Sequence, residues 1–259
     1  MVTRETAWPE GTPCWVDLGV SDIPKAIAFY SDLFDWDIPQ GPPETGGYSV
    51  ASLNGYDTAG IGPKMGPAEA PSMWTTYLAS DDADATAAKA TKAGGTLLME
   101  PMDVMEFGRM AVATDITGAV FGIWQGRKQT GVGLANAPGA LTWNEHFSRD
   151  FEGAKAFYAA VFGYEYGDMS SDQFSYATLL LSGHEVGGIG AYPAGTPENI
   201  LPAWTPYFGT SSTDESVAAA VGYGGTVVRE PADSPYGRTA TVADDQGAVF
   251  SLISRPPGD

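Results

Sequence analysis

The sequence has few of the residues from which metal sites and disulfides are built. Its 259 residues include one cysteine, Cys14, and two histidines, His146 and His184. A single cysteine excludes an internal disulfide and any metal site made of several cysteines. A nucleophilic thiol would need a histidine partner, and none lies near Cys14 in the sequence. We therefore expect Cys14 to be a packing residue.

Positive charge and long apolar runs are also scarce. The chain has 13 basic against 32 acidic residues, a formal net charge of −19, which would repel phosphate backbones and anionic lipid headgroups. No apolar run is long enough to span a bilayer, and the opening MVTRETAWPEGTP has no signal-peptide core. These absences predict a cytoplasmic protein that binds neither nucleic acid nor membrane.

What the sequence does contain is an internal repeat over nearly its whole length. WVDLGVSDIPKAIAFYSDLFDW at 15–36 matches WNEHFSRDFEGAKAFYAAVFGY at 143–164, and WTTYLASDDADATAAKATKAGGTLLMEP at 74–101 matches WTPYFGTSSTDESVAAAVGYGGTVVREP at 204–231. A hydrophobic content of 43% supplies material for two cores. We predict a first domain at 1–128, a linker at 129–138 and a second domain at 139–259.

Local periodicity predicts strands and helices in each half. Ala26, Phe29, Tyr30, Leu33 and Phe34 follow the spacing of one helix face, with Ser21 and Asp22 as candidate caps. Upstream, 15–20 alternates aliphatic residues with Trp, Asp and Gly, which is typical of a strand with two different faces. The aliphatic face suits the helix, so we expect Trp and Asp to face a cavity.

The same motifs resemble those of a known family. They are Asp followed by a helix with FY…LF-W at 22–36, its copy at 150–164, and the D-x-x-G-x-x-F endings at 115–121 and 244–250. With them the chain resembles the vicinal oxygen chelate superfamily of glyoxalases, extradiol dioxygenases and bleomycin-resistance proteins. In particular, it is similar to tandem two-domain actinomycete members found in antibiotic pathways. The resemblance implies an α+β fold of two tandem glyoxalase-like domains, in which four βαβββ modules form two cup-shaped curved sheets with outer helices.

The resemblance also implies a divalent metal held by His, Gln or Glu in each cup. The matching positions carry Trp15 and Trp143, Thr75 and Thr205, and Gly122 and Ser251. None of these is a good metal ligand. Strand alternation turns His146 away from Trp143, and His184 is expected in a hairpin turn. We therefore predict no metal and no other cofactor, with a metal-dependent glyoxalase or dioxygenase as an alternative.

Strand alternation predicts which residues line each cup. The predicted linings are Trp15, Asp17, Tyr48, Thr75, Tyr77, Val120 and Trp124 in the first half, and Trp143, Glu145, Phe147, Tyr176, Thr205, Tyr207, Val249 and Ser251 in the second. The methionine-rich stretch MEPMDVMEFGR at 99–109, which includes Met105, is predicted to cover the first cup, making it the better binding site. Aromatic walls favour a flat apolar ligand. Alternatively, the aromatic residues fill the cups as core.

Asp17 and Glu145 are the candidate catalytic residues. A carboxylate beside an indole in a partly dry cup is expected to have a raised pKa and to serve as an acid or base. The alternative is pairing with Arg109 or Arg238. We predict a metal-independent enzyme that tailors an aromatic polyketide-type molecule by hydroxylation, cyclisation or isomerisation. The alternative is a non-catalytic resistance or carrier protein. A partner oxygenase is an option for the hydroxylation. The sequence is compatible with both a monomer and a homodimer.

Overall fold

The computed structural model describes residues 1–66, 69–172 and 174–255. Its helices are α1 Ile23–Phe34, α2 Ala83–Lys92, α3 Phe151–Phe162 and α4 Thr213–Gly222. The strands up to the linker are β1 Val2–Thr3, β2 Pro13–Val20, β3 Ser49–Leu53, β4 Tyr56–Pro63, β5 Met73–Ala79, β6 Thr96–Val104, β7 Gly108–Thr114, β8 Val120–Gly126 and β9 Leu134–Ala135. The later strands are β10 Leu141–Ser148, β11 Glu165–Asp168, β12 Tyr176–Leu181, β13 His184–Ala191, β14 Ala203–Gly209, β15 Thr226–Ser234, β16 Gly237–Ala243 and β17 Val249–Ser254.

The strands form two sheets with the same internal order. The first is β3-β4-β2-β5-β8-β7-β6 and the second is β11-β12-β13-β10-β14-β17-β16-β15, with β9 added beside β10 and β1 paired to β9. In each sheet a central antiparallel pair, β2–β5 or β10–β14, joins two modules. This confirms the predicted α+β fold of tandem glyoxalase-like domains. No described helix is long and apolar enough to cross a membrane.

One strand of the repeat is reduced in the first half. Where the second sheet has β11, the first has only a bridge between Asp37 and Ser52. The segment that follows Asp37 contains Pro39, Pro42 and Pro43. Because proline has no backbone N–H to donate, this segment cannot extend the ladder.

Helix α1 buries the predicted stripe. Ala26, Phe29, Tyr30 and Phe34 are buried, and the Asp22 side chain caps the first turn by accepting from the Lys25 N–H at 3.0 Å. Asp150 caps α3 in the same way, accepting from the Gly153 N–H at 2.9 Å. Of the two candidates, Ser21 and Asp22, the N-cap of α1 is therefore Asp22.

The two halves pack together through their helix-bearing faces. Tyr30 donates to Asp244 Oδ2 at 3.0 Å across this interface. At the reciprocal position Tyr158 is hydrogen-bonded to Asp115. Asp115 Oδ2 also lies 2.8 Å from His146 Nε2, and the side chains of His146 and Asp115 are fully buried. Successive residues of a strand point to opposite faces of the sheet. The faces that carry Trp15 and Trp143 therefore point away from the interface.

The D-x-x-G-x-x-F endings are built into this interface. Asp115 Oδ1 accepts from the backbone N–H groups of Thr117 and Ala119, which forms a turn that Gly118 completes with a φ of 96°. Its other oxygen, Oδ2, lies 2.8 Å from His146 Nε2 in the second half. The motif is therefore a structural element that joins the halves.

Asp115 predicts a loss of stability in acid. Burial raises its pKa, but hydrogen bonding to His146 and Thr117 and the charge of His146 lower it more, so the net pKa lies below the ordinary 3.8. The stabilisation is present above about pH 3.8 and is lost as the pH falls through the folded-state pKa. Urea denaturation from about pH 6 to pH 2 is expected to show a steeper loss for the wild type than for Asp115→Asn. Equal slopes would contradict this assignment.

Candidate functional site

The first cup, the Trp15 face of the first sheet, has Asp17 at its centre. Across the sheet, Asp17 lies opposite Thr75 on β5 and Gly60 on β4. The Trp15 indole Nε1 and the Tyr48 hydroxyl each donate to Asp17 Oδ1 at 2.6 Å. Tyr77 on β5 provides a further hydrogen bond. A carboxyl group is thus held by three aromatic donors.

Glycines make room for this cluster. A Cβ atom at Gly60 would lie 2.0 Å from the Tyr48 hydroxyl oxygen and 2.1 Å from Asp17 Oδ1. A Cβ atom at Gly122 would lie 2.0 Å from the Tyr77 ring. The aromatic rings therefore occupy the space that side chains at these strand positions would need.

The second cup, the Trp143 face of the second sheet, repeats the cluster around Glu145. Tyr176 donates to Glu145 Oε1 at 2.6 Å, and Tyr207 donates to Oε2 at 2.5 Å. The Trp143 indole Nε1 donates to the Tyr176 hydroxyl at 3.3 Å. Gly188 takes the place of Gly60, since its Cβ would lie 1.9 Å from that hydroxyl. The repeat therefore preserves a carboxyl group held by one Trp and two Tyr.

Burial raises the pKa of both central carboxyl groups. For Asp17 this effect exceeds the opposing hydrogen bonds from Tyr48, Trp15 and Tyr77. For Glu145 it exceeds the hydrogen bonds from its own aromatic neighbours and the charge of Arg229. Asp17 and Glu145 are half-buried residues, while the neighbouring Trp15 and Tyr77 are buried. A carboxyl group with a raised pKa can hold or release a proton closer to neutral pH than an ordinary carboxyl group.

The two arginines considered as alternative partners lie elsewhere. Arg109 donates to Asp84 Oδ2 at 2.6 Å, and Arg238 donates to Asp214 Oδ2 at 2.6 Å. Each binds a helix residue, and neither pairs with a cup carboxylate. The cation that does act on Glu145 is Arg229, which the sequence analysis did not identify. The sequence indicates this residue only through the repeat, where LLMEP at 97–101 becomes VVREP at 227–231 and Met99 is replaced by Arg229.

The remaining predicted residues of the first cup differ in exposure. Trp15 and Tyr77 are 4% and 3% exposed and belong to the hydrophobic core, as does Trp124. Thr75 is also buried, whereas Tyr48 is half-buried. Part of the aromatic lining therefore fills the cup as core, and the reachable surface lies around Asp17 and Tyr48.

The predicted methionine-rich cover is part of the sheet. Residues 99–109 form most of the β6–β7 hairpin, and Met105 lies in its turn with a φ of 46°. Met105 is 57% exposed at the end of the hairpin. The segment is therefore paired in a β-ladder and is not a separate loop.

The floor of the second cup is the more open of the two. Trp143 and Thr205 are half-buried, whereas Trp15 and Thr75 are buried. The geometry therefore does not favour the first cup as the better binding site.

Two curved sheets with a carboxyl group at the centre of each define a two-cup α+β protein. The family model of the Glyoxalase/Bleomycin resistance protein/Dioxygenase superfamily matches residues 14–123. CFP32 of Mycobacterium tuberculosis (strain CDC 1551 / Oshkosh) is 39% identical over 261 residues, with 98% of both chains covered. The anthracycline biosynthesis protein DnrV of Streptomyces peucetius is 33% identical over 267 residues, covering 98% of this chain and 96% of DnrV. The chain belongs to the Glyoxalase/Bleomycin resistance protein/Dioxygenase superfamily.

Solved structures share the fold at low sequence identity. The Mn(II)-bound glyoxalase from Novosphingobium aromaticivorans aligns with a TM-score of 0.66 at 17% identity, covering 95% of this chain and 83% of that one. The 2,3-dioxygenase LapB from Pseudomonas sp. KL28 aligns with a TM-score of 0.65 at 14% identity, covering 96% of both chains. The predicted resemblance to this superfamily is confirmed.

The side chains of the cups do not fit the divalent metal that the superfamily implies. The Trp15 indole has no lone pair for a metal, and Tyr77 fills the space where a ligand at position 122 would stand. His146 is buried at the interface between the halves, and His184 is exposed at the start of β13. Within residues 1–66, 69–172 and 174–255, no three His, Cys, Asp or Glu side chains come together as a metal site.

Proposed function

We propose that the cups bind a flat, largely apolar small molecule of the aromatic polyketide type and that Asp17 and Glu145 move protons during a tailoring reaction. The observation that supports this most is the same half-buried carboxyl group, held by one Trp and two Tyr, in both cups. The ligand class is taken from the relatives DauV and DnrV, which are named anthracycline biosynthesis proteins. The reaction uses neither a metal nor a cofactor of this chain.

The proposed chemistry is general acid–base catalysis. The ionised Asp17 takes a proton from a carbon next to a ligand carbonyl, which leaves an enolate, and the resulting acid returns the proton at another atom. Nearby phenol and indole donors keep the carboxyl group in place. This proton transfer balances for isomerisation or for an aldol-type cyclisation. Hydroxylation additionally needs dioxygen and electrons, which a partner oxygenase would supply.

A second candidate is a binding protein without turnover. It is favoured by the three donors on Asp17, because hydrogen bonds to a carboxylate stabilise its charged form and restrict its movement. Here the carboxylate only accepts a hydrogen bond from the ligand. The two candidates share the binding surface and differ in whether a proton is transferred.

Both candidates predict that Trp15→Ala weakens ligand binding. Removing the indole takes away one donor to Asp17 and the ring that fills the cup beside it, so we expect about tenfold to hundredfold weaker binding of 1-hydroxyanthraquinone. Isothermal titration calorimetry measures this loss. Tyr48→Phe removes only a hydroxyl and tests the same surface with less disturbance of the core.

Trp8→Ala is the matched control, because the Trp8 indole lies outside the cups and donates to the Val132 carbonyl oxygen. We expect it to bind the probe like the wild type. Unchanged affinity in both Trp15→Ala and Tyr48→Phe, or an equal loss in Trp8→Ala, would contradict the location of the site.

A further inference from the structure

We propose that the second cup selects a planar aromatic acid and that Arg229 is the residue that sets this preference. The inference rests on the proposed function, since it assumes that the cups bind flat aromatic molecules. The two cups share the carboxyl cluster and differ in the strand residues beside it. The first cup is left as the site for a neutral ligand.

The strand register places Arg229 on the face that carries Glu145. Paired residues of neighbouring strands share a face, and one row crosses the second sheet from β15 to β10. That row consists of Arg229, Thr241, Ser251, Tyr207 and Trp143. Tyr207 in this row donates to Glu145. The guanidinium and the carboxyl group therefore belong to the same cup.

The corresponding row of the first sheet is apolar. It consists of Met99, Val112, Gly122, Tyr77 and Trp15. The Trp and Tyr at one end are the same in both cups. At the other end, a thioether, an aliphatic side chain and a glycine replace a guanidinium and two hydroxyls.

The polar residues of the second cup form a continuous chain of hydrogen bonds. The hydroxyls of Thr241 and Ser251 lie 2.9 Å apart, and Ser251 is hydrogen-bonded to Tyr207. Tyr207 then donates to Glu145, whose other oxygen accepts from Tyr176. These hydroxyls are hydrogen-bonded to one another, so the wall of the second cup is polar and Arg229 is its positively charged group.

Arg229 is available to an anion. It is exposed, and among the described residues no carboxylate lies within ion-pair distance of it, although it acts electrostatically on Glu145. The net charge of −19 disfavours general attraction of anions, so only a local cation can draw one to the surface. A planar acid can place its carboxylate at Arg229 with its ring directed toward Trp143.

The test compares 2-naphthoate with the neutral 2-naphthamide, which has a similar shape. Nitrogen-15 NMR of the indole groups reports each cup separately, through Trp15 Nε1–H and Trp143 Nε1–H. We expect 2-naphthoate to bind the second cup about tenfold or more tightly than 2-naphthamide. Arg229→Met should abolish that preference by weakening the binding of 2-naphthoate.

Two further variants sharpen the test. Met99→Arg should confer a preference for 2-naphthoate on the first cup, and Arg127→Met, which removes the same charge from an ion pair with Asp103, should change neither cup. Equal binding of both probes at Trp143, or a preference that survives in Arg229→Met, would overturn the inference while leaving the proposed function intact. Failure of both probes to shift either indole would overturn both.

Discussion

Asp17→Asn is expected to slow proton transfer in the first cup about 10²- to 10⁴-fold while ligand affinity changes little. Asparagine keeps an oxygen that can accept from the Trp15 indole and the Tyr48 hydroxyl, so the cup keeps its shape. It cannot take up the proton. The measurement is the rate of deuterium exchange at the α-carbon of 2-tetralone, followed by NMR, with affinity measured in parallel.

Two control variants show how much of the exchange comes from each cup and how much from carboxylates on the surface. Glu145→Gln removes the second carboxyl group, and the double variant should lose the exchange that either single variant retains. Asp32→Asn removes an exposed carboxylate of α1 outside both cups and should exchange like the wild type. Unchanged exchange in the double variant would exclude proton transfer by these groups and favour the binding protein.

Stability provides an internal check on Asp17→Asn. Burial raises the pKa of Asp17, so the folded protein holds this proton more tightly than the unfolded chain and gains stability as the pH falls through that pKa. At pH 8 the ionised group costs stability, and the amide avoids that cost. The variant should therefore unfold at the same or a higher temperature than the wild type at pH 8, so reduced exchange cannot be attributed to unfolding.

Phe208→Ala is expected to lower the free energy of unfolding by about 3–5 kcal/mol. Phe208 is fully buried where the two halves meet. Its ring centroid lies 5.0 Å from that of Phe34, 5.3 Å from that of Trp74 and 5.9 Å from that of Phe250. The substitution leaves a cavity in a core to which both halves contribute. Guanidinium denaturation followed by tryptophan fluorescence measures the loss.

Phe174→Ala is the matched control, since that phenylalanine is 50% exposed and its loss should cost within about 0.5 kcal/mol. A cost of less than about 1 kcal/mol for Phe208→Ala would contradict a shared core. It would mean that the halves are stabilised independently of each other.

The fold could be predicted from the sequence because its signals are local. The spacing of Ala26, Phe29, Tyr30 and Phe34 predicts the buried face of α1, and Asp22 lies where a cap is needed. The repeat then predicts the same helix and the same cap in the second half. Strand alternation also predicts that His146 points toward the helix face. Its full burial and its contact with Tyr158 of α3 confirm this.

The long-range partners could not be predicted in this way. The bond between His146 and Asp115 joins residues of different halves, and no periodicity specifies which residues meet across such an interface. The convergence of Tyr48 on Asp17 depends on the register of β3 and β4 and on Gly60. Arg229 looked like an ordinary exposed cation until the register placed it in the second cup.

The central claim is that an aromatic molecule occupies cups whose metal-ligand positions carry Trp, Thr, Gly and Ser. Native mass spectrometry of protein freshly purified from its own host tests this most directly, because one spectrum weighs bound metal and bound organic molecule together. The account predicts a mass without metal that carries an aromatic adduct, released when Trp15 and Trp143 are replaced by alanine. A stoichiometric divalent metal would contradict it.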